Sequence, residues 1–178
     1  MRKTIVALAI VSILFSLSLK GEAVDLKGRV GLGYSALSPL SGWSIRYWLT
    51  ENLAVNGIID FHFETDNNEF LLGGRALYKV RDEKNLNLYL GGEIGADFRE
   101  NRDDNFSIGP FAGAELFLNG LPNLGVGGEI GAYYQSAAKS FATAFGRLVM
   151  HYYFGAPREA EKPKEKQVKP AKKPAEKK

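Results

Sequence analysis

The sequence predicts an all-β fold: an eight-stranded antiparallel up-and-down transmembrane β-barrel over residues 24–154, with a leader before it and a tail after it. Three observations lead there. From Lys27 onward, apolar residues recur at every second position in segments bounded by turn residues. The links between segments alternate between tight and slightly longer ones, as in a ring of hairpins whose two ends differ. One parity of each segment is apolar and carries no charge in its core, and aromatic rings gather toward its ends.

Residues 1–23 read as a secretory signal peptide. Arg2 and Lys3 supply a basic start, residues 4–19 an apolar run, and Gly21 and Ala23 the small residues of a cleavage site. The run is short against the roughly 20 residues that span a bilayer as a helix. Cleavage is expected after Ala23. The alternating segments then cover 27–36, 42–50, 52–63, 69–80, 85–98, 105–118, 123–135 and 141–154. Most reach the roughly 9–11 residues that a tilted strand needs to cross a membrane. Residues 50–52, 81–84 and 119–122 make the tight links, and 37–41, 64–68, 99–104 and 136–140 the longer ones. A weak repeat joins the fifth and seventh segments, where GGEIGA appears in both. Repeated hairpins and similar solutions to similar packing both account for it.

The charge-free parity runs through Val30, Leu32 and Tyr34, then Trp43, Ile45, Tyr47 and Leu49, and so on round the chain. Trp43, Phe61, Phe63, Phe70, Phe98, Phe106 and Tyr134 fall at one rim, and Tyr47, Tyr78, Tyr152 and Phe154 at the other. Two such girdles suit a lipid–water boundary. The opposite parity mixes glycine and tyrosine with Arg46, Asp60, Arg75, Glu93, Glu115, Glu129 and Arg147. An eight-stranded barrel is narrow enough for side chains to fill. These acids and arginines are therefore expected to pair as an interior network, since breaking a buried pair costs about 3–5 kcal/mol. A last hairpin symmetric about Ala138 puts Glu129 opposite Arg147. The competing reading is a soluble barrel or sandwich. It fits poorly, because the polar parity is poor in lysine and rich in glycine and tyrosine.

The last segment carries the most specific signal. Leu148, Met150, Tyr152 and Phe154 alternate with Arg147, Val149, His151 and Tyr153. This resembles the closing strand of bacterial outer-membrane β-barrels, in particular the small OmpA/OmpX-like transmembrane barrels of the outer membrane protein beta-barrel domain family. In that family a final strand ending in Phe is the signal read by the barrel assembly machinery, which Leu148, Met150, Tyr152 and Phe154 would supply here. One departure is plain: Phe154 is followed by more chain. The resemblance also implies an interior of linked arginines and glutamates, an outer-membrane location, and contact with lipid and lipopolysaccharide.

Residues 155–178 are rich in Lys, Pro, Glu and Ala and lack aromatics, so they cannot bury a core and are expected to be disordered. The tail carries +5 and residues 1–23 carry +2, which leaves −4 for the barrel within a net +3. The pI near 9.0 belongs to the tail and is no nucleic-acid footprint. If the tail hangs into the periplasm, it is a solvated spacer or an electrostatic contact with peptidoglycan or an acidic periplasmic partner. Cysteine is absent, so no disulfide or thiolate metal site is available. His62 and His151 are expected at opposite rims, too far apart to share a metal. Barrel enzymes that modify lipid A need serine, histidine and acid near the outer rim; His62 with Asp60 or Glu64 offers two of these but no adjacent serine. The expected protein is therefore a monomeric, non-enzymatic outer-membrane component without cofactor or metal, structural in role. The alternatives are a small adhesin or lipopolysaccharide-interacting surface protein, a narrow porin, or a lipid A-modifying enzyme.

Overall fold

The computed structural model describes residues 24–36, 39–63, 68–83 and 85–155. The expected leader and nearly all of the expected tail lie outside them. Eight strands follow in order: β1 (Val30–Ala36), β2 (Gly42–Trp48), β3 (Leu53–His62), β4 (Glu69–Glu83), β5 (Leu86–Arg99), β6 (Asn105–Leu118), β7 (Leu121–Gln135) and β8 (Ser140–Phe154). Each pairs antiparallel with the next, and β1 pairs with β8 from Val30↔Phe154 to Ala36↔Leu148. The sheet is thus a closed barrel in simple up-and-down order.

The alternation read from the sequence is the alternation of the wall. Trp43, Ile45 and Tyr47 on β2 face outward, while Ser44, Arg46 and Trp48 between them are buried. Exposed apolar side chains go right round the ring, from Leu32 and Ile45 through Leu72, Ile94, Ile108 and Ile130 to Met150. Aromatic neighbours mark the rims: Phe61 meets Phe70 at 5.1 Å between ring centres, Phe70 meets Phe98 at 6.0 Å, and Phe98 meets Phe106 at 6.4 Å.

The element bounds differ from the sequence reading where the chain turns into the barrel. β1 and β2 are shorter than expected, at 7 residues each. Gly28 (φ 73°) and Gly42 (φ 137°) take backbone conformations open to glycine and bend the chain away from the sheet at either end of this hairpin. Below the bend at Gly28, Leu26 packs in a buried cluster with Trp48, Phe117 and Tyr153. Ahead of Gly42, Leu40 is 1% exposed and lies over Gly73 and Gly95 inside the far mouth. Leu40, within the longer link read at 37–41, is thus drawn inward, where the two glycines leave room for an apolar side chain. Conversely β4 runs on to Glu83 and β7 starts at Leu121, so the links at 81–84 and 119–122 are shorter than read.

Among the described residues the register shifts in three places; one is at the β6–β7 turn, between Phe117 and Leu118, and the other two are bulges within strands. One lies at Val80 on β4, between Lys79 and Arg81. The other lies at Gly146 on β8, where Glu129 pairs with Arg147 but Ile130 pairs with Phe145. Gly146 has φ 77°, the left-handed geometry that lets one extra residue enter a strand. The hairpin tip is consequently not symmetric about Ala138; the bulge restores the register just in time for Glu129 to face Arg147.

The inward seat of Leu40 is testable. A Cβ at Gly95 would come within 2.2 Å of Leu40 Cδ2. Gly95→Val should destabilise the barrel by about 1–3 kcal/mol through overpacking. In a Leu40→Ala background the same change should cost distinctly less, giving a coupling of about 0.5–3 kcal/mol in urea unfolding of the detergent-folded protein. Strict additivity would place Leu40 elsewhere.

Candidate functional site

The chemistry-bearing side chains collect in the middle of the lumen, between the Leu26 layer and Leu40. Strand alternation selects them: Arg46, Arg75, Glu93, Glu115, Glu129 and Arg147 all have inward parity and at most 5% exposure. Arg75 and Glu93 are direct partners across β4 and β5, as are Glu129 and Arg147 across β7 and β8.

Ion pairs also cross the lumen. Arg75 reaches Glu93 at 3.2 Å and Glu129 at 3.1 Å. Arg147 reaches the same two carboxylates, at 2.6 and 3.5 Å. The GGEIGA repeat thus places equivalent carboxylates on β5 and β7, each bridged by the same two guanidinium groups. Small residues beside them make the room. A Cβ on Gly131 would meet Phe111 at 3.1 Å and Arg147 Nη2 at 3.2 Å, and one on Gly91 would meet the Phe111 ring at 2.4 Å. That ring lies between the two cations, with Arg75 at 5.2 Å and Arg147 at 5.4 Å from its centre.

Nearer the chain termini, Arg46 donates to Glu115 at 3.2 Å and lies 3.9 Å from Glu129. The Tyr89 hydroxyl donates to Glu129 at 2.9 Å, and the Tyr153 hydroxyl lies 3.0 Å from both Glu115 oxygens. His151 Nδ1 stands 3.6 Å from Glu115, and Nε2 is 2.8 Å from Ser44 Oγ, which donates to Asn56. Three guanidinium groups and three carboxylates therefore balance in one buried network. The balance of charge is what makes such burial tolerable, since a lone ion there would lose its hydration without replacement.

Asp60 is not part of this network, contrary to the sequence reading. It sits half-buried at the far mouth and accepts a hydrogen bond from the Phe61 amide at 3.0 Å. Inward parity is shared along a whole strand, but depth is not, and Asp60 lies above Leu40. It lines a cavity of about 200 Å³ with Pro39, Ser41, His62, Glu69, Leu71, Asp97 and Arg99. His62 is exposed there, whereas His151 is fully buried, so the two histidines occupy different levels of the barrel.

Sequence reasoning missed Ser44, Asn56, Tyr89, Tyr153 and the aromatic filling by Trp48, Phe111 and Phe117. Their signal was present, because each shares parity with a named charge. Ser44, His151 and Glu115 even stand in the order of a nucleophile, base and acid. Ser44 is 4% exposed and the other two 0%, however, so no substrate reaches the hydroxyl without unpacking the lumen. They serve as polar filling.

A closed ring of eight antiparallel strands, packed within and apolar without, has a counterpart among solved structures. The barrel shares its fold with the N-terminal domain of OprF. The crystal structure of the N-terminal β-barrel domain of Pseudomonas aeruginosa OprF matches with a TM-score of 0.52 and 14% identity, over 75% of this chain and 98% of that one. At that identity the likeness is one of fold. It shows that the eight-stranded up-and-down barrel read from the sequence is the fold adopted. No family model matches the chain, and no curated protein does.

The network and the mouth respond differently to substitution. Glu129→Gln leaves Arg75 and Arg147 short of a countercharge and should cost about 3–5 kcal/mol. Asp60→Asn should stay within about 0.5 kcal/mol of the parent. Urea midpoints of the two variants, measured side by side, check the contrast.

Proposed function

We propose that the chain is a non-enzymatic, monomeric β-barrel protein of the bacterial outer membrane with a structural role in the envelope. The observation that carries this reading is the uninterrupted apolar wall around a closed sheet. Trp43 is 68% exposed, Ile94 60% and Ile108 58%. Soluble monomers rarely expose contiguous apolar patches beyond a few hundred Å², whereas hydrocarbon covers such a wall at no cost. Closure leaves no strand edge to satisfy, the condition for spanning a bilayer with strands. The fold likeness to the OprF domain points the same way.

The interior supports a structural rather than a conducting role. Leu26 and Leu40 lie at opposite ends of the ion network, and the lumen between them is filled by side chains. In the proposed orientation both ends of the barrel domain face the periplasm, and residues 155–178 extend there as a basic tail that contacts the cell wall. Lipid and lipopolysaccharide surround the wall. Leu148, Met150, Tyr152 and Phe154, outward-facing on β8, are the strip offered to the barrel assembly machinery.

Fractionation should place the mature protein in the outer membrane, and unboiled samples should migrate differently from boiled ones on a gel. Planar-bilayer recordings of the purified barrel should show no stable large conductance steps. Such steps, or recovery in the soluble fraction, would refute the reading. Two substitution experiments separate its parts. Phe154→Ser should lower the amount of folded barrel in cells several-fold, yet leave refolding from urea into detergent intact. Removal of residues 156–178 should reduce co-sedimentation with isolated cell wall while the barrel still folds; unchanged sedimentation would discard the wall contact.

A further inference from the structure

Beyond that role, one of the tight turns carries reactive chemistry. The dipeptide Asn-Gly occurs twice, at 56–57 and at 119–120, and the fold places the two copies differently. Asn56 and Gly57 lie inside β3, where Asn56 is 3% exposed and Gly57 pairs with Ile45 on one side and Gly74 on the other. Asn119 and Gly120 are the two exposed residues of the β6–β7 turn, between the paired Leu118 and Leu121.

An asparagine side chain and the next backbone nitrogen can close a succinimide ring when the nitrogen swings under the side-chain carbonyl carbon. In an extended strand ψ stays at about +135°, which turns that nitrogen away, and pairing on both flanks holds Gly57 there. The β6–β7 turn lies off the ladder, so rotation at Asn119 is open. Gly120 sets no Cβ beside the nitrogen, and at φ 86° it is the residue type that this turn favours. The Asn119 carbonyl is also activated. Asn85 Nδ2 donates to its Oδ1 at 2.6 Å, and such a bond strengthens as the oxygen gains charge during attack. Asn56 Oδ1 accepts a comparable bond from Ser44 at 2.8 Å, so the backbone is what separates the two sites.

We infer that Asn119 is a self-modifying site that deamidates through a succinimide shared with Gly120. The Gly120 nitrogen attacks Asn119 Cγ and forms the new C–N bond. The side-chain nitrogen leaves as ammonia, taking the proton that Gly120 gives up. Water then opens the ring at either carbonyl, breaking one C–N bond and leaving aspartate or isoaspartate. Isoaspartate puts an extra methylene into the main chain and moves the carboxylate away from Asn85. Asn85 holds the β4–β5 link to the β6–β7 turn twice over, through Asn119 and through its own carbonyl, which accepts the Phe117 amide at 2.7 Å. The modification therefore loosens that clasp. The assignment rests on the turn and is independent of where the barrel resides in the cell.

The test ages the folded full chain in neutral maltoside micelles and mildly alkaline buffer, then maps peptides by mass spectrometry. Peptides holding residue 119 should gain the mass of an amide-to-acid exchange, with isoaspartate the larger product. Asn56 should convert at least tenfold more slowly. In urea, where no ladder holds Gly57, the two rates should converge. Gly120→Ala should slow conversion at Asn119 at least fivefold; a Cβ there meets open space, and the gel shift on boiling confirms that the variant folds. In chains carrying isoaspartate, the Phe117 amide should exchange hydrogen at least fivefold faster than in fresh protein. Equal rates at the two asparagines in the folded barrel, a gap between them that persists in urea, aspartate without isoaspartate, or an unchanged rate in Gly120→Ala would each overturn the site. Unchanged exchange at Phe117 would overturn the loosening of the clasp.

Discussion

A β-sheet ends in two rows of backbone N–H and C=O groups, and here each row satisfies the other. The pairing of β1 with β8 leaves the sheet without a free edge, and most of the remaining architecture follows from it. A ring of eight strands has an inside too narrow for much beyond side chains. Every residue must then choose between a confined polar interior and an exterior with no protein to cover it. Arg29 reinforces the seam, donating to the carbonyls of Tyr153 at 2.9 Å and Gly155 at 3.0 Å and to Asn123 at 2.6 Å. One side chain thus ties the start of β1 to the end of β8 and the beginning of β7.

Confinement explains why the interior is both charged and aromatic. Long arginine side chains from β2, β4 and β8 cross the lumen and reach carboxylates on β5, β6 and β7, so the network braces walls that share no hydrogen bonds. The rings of Tyr89 and Phe111 lie beside the guanidinium groups and fill the space their stems leave. Such an arrangement needs correct register in every strand at once. A slip of one residue would carry a charge to the apolar face.

Much of this was legible in the chain because period two is a strong signal and the turns are marked. Parity alone identified the outer face of every strand, and six of the seven charges it named meet in the network. The pairing of Glu129 with Arg147 could be read from hairpin symmetry, yet it is realised through a bulge at Gly146 that symmetry does not contain. A glycine in a glycine-rich barrel gives no sign that it is the one with positive φ. Depth was the other blind spot. Asp60 and Arg46 look alike in alternation, and only the inward fold of Leu40 separates the mouth from the core. The contact of Ser44 and Asn56 with His151 was similarly hidden, since barrel closure brings β8 back to the β2–β3 hairpin from 107 residues away.

The two leucines that dip into the barrel also divide its electrostatics into separate populations. Ions of the bulk solution lie within a few ångströms of the carboxylates on the far rim and can screen them. The guanidinium–carboxylate lattice between Leu26 and Leu40 admits no such atmosphere. Its Coulomb energy is set by protein dipoles and fixed distances alone, so the centre of the molecule keeps its cohesion from dilute buffer to brine.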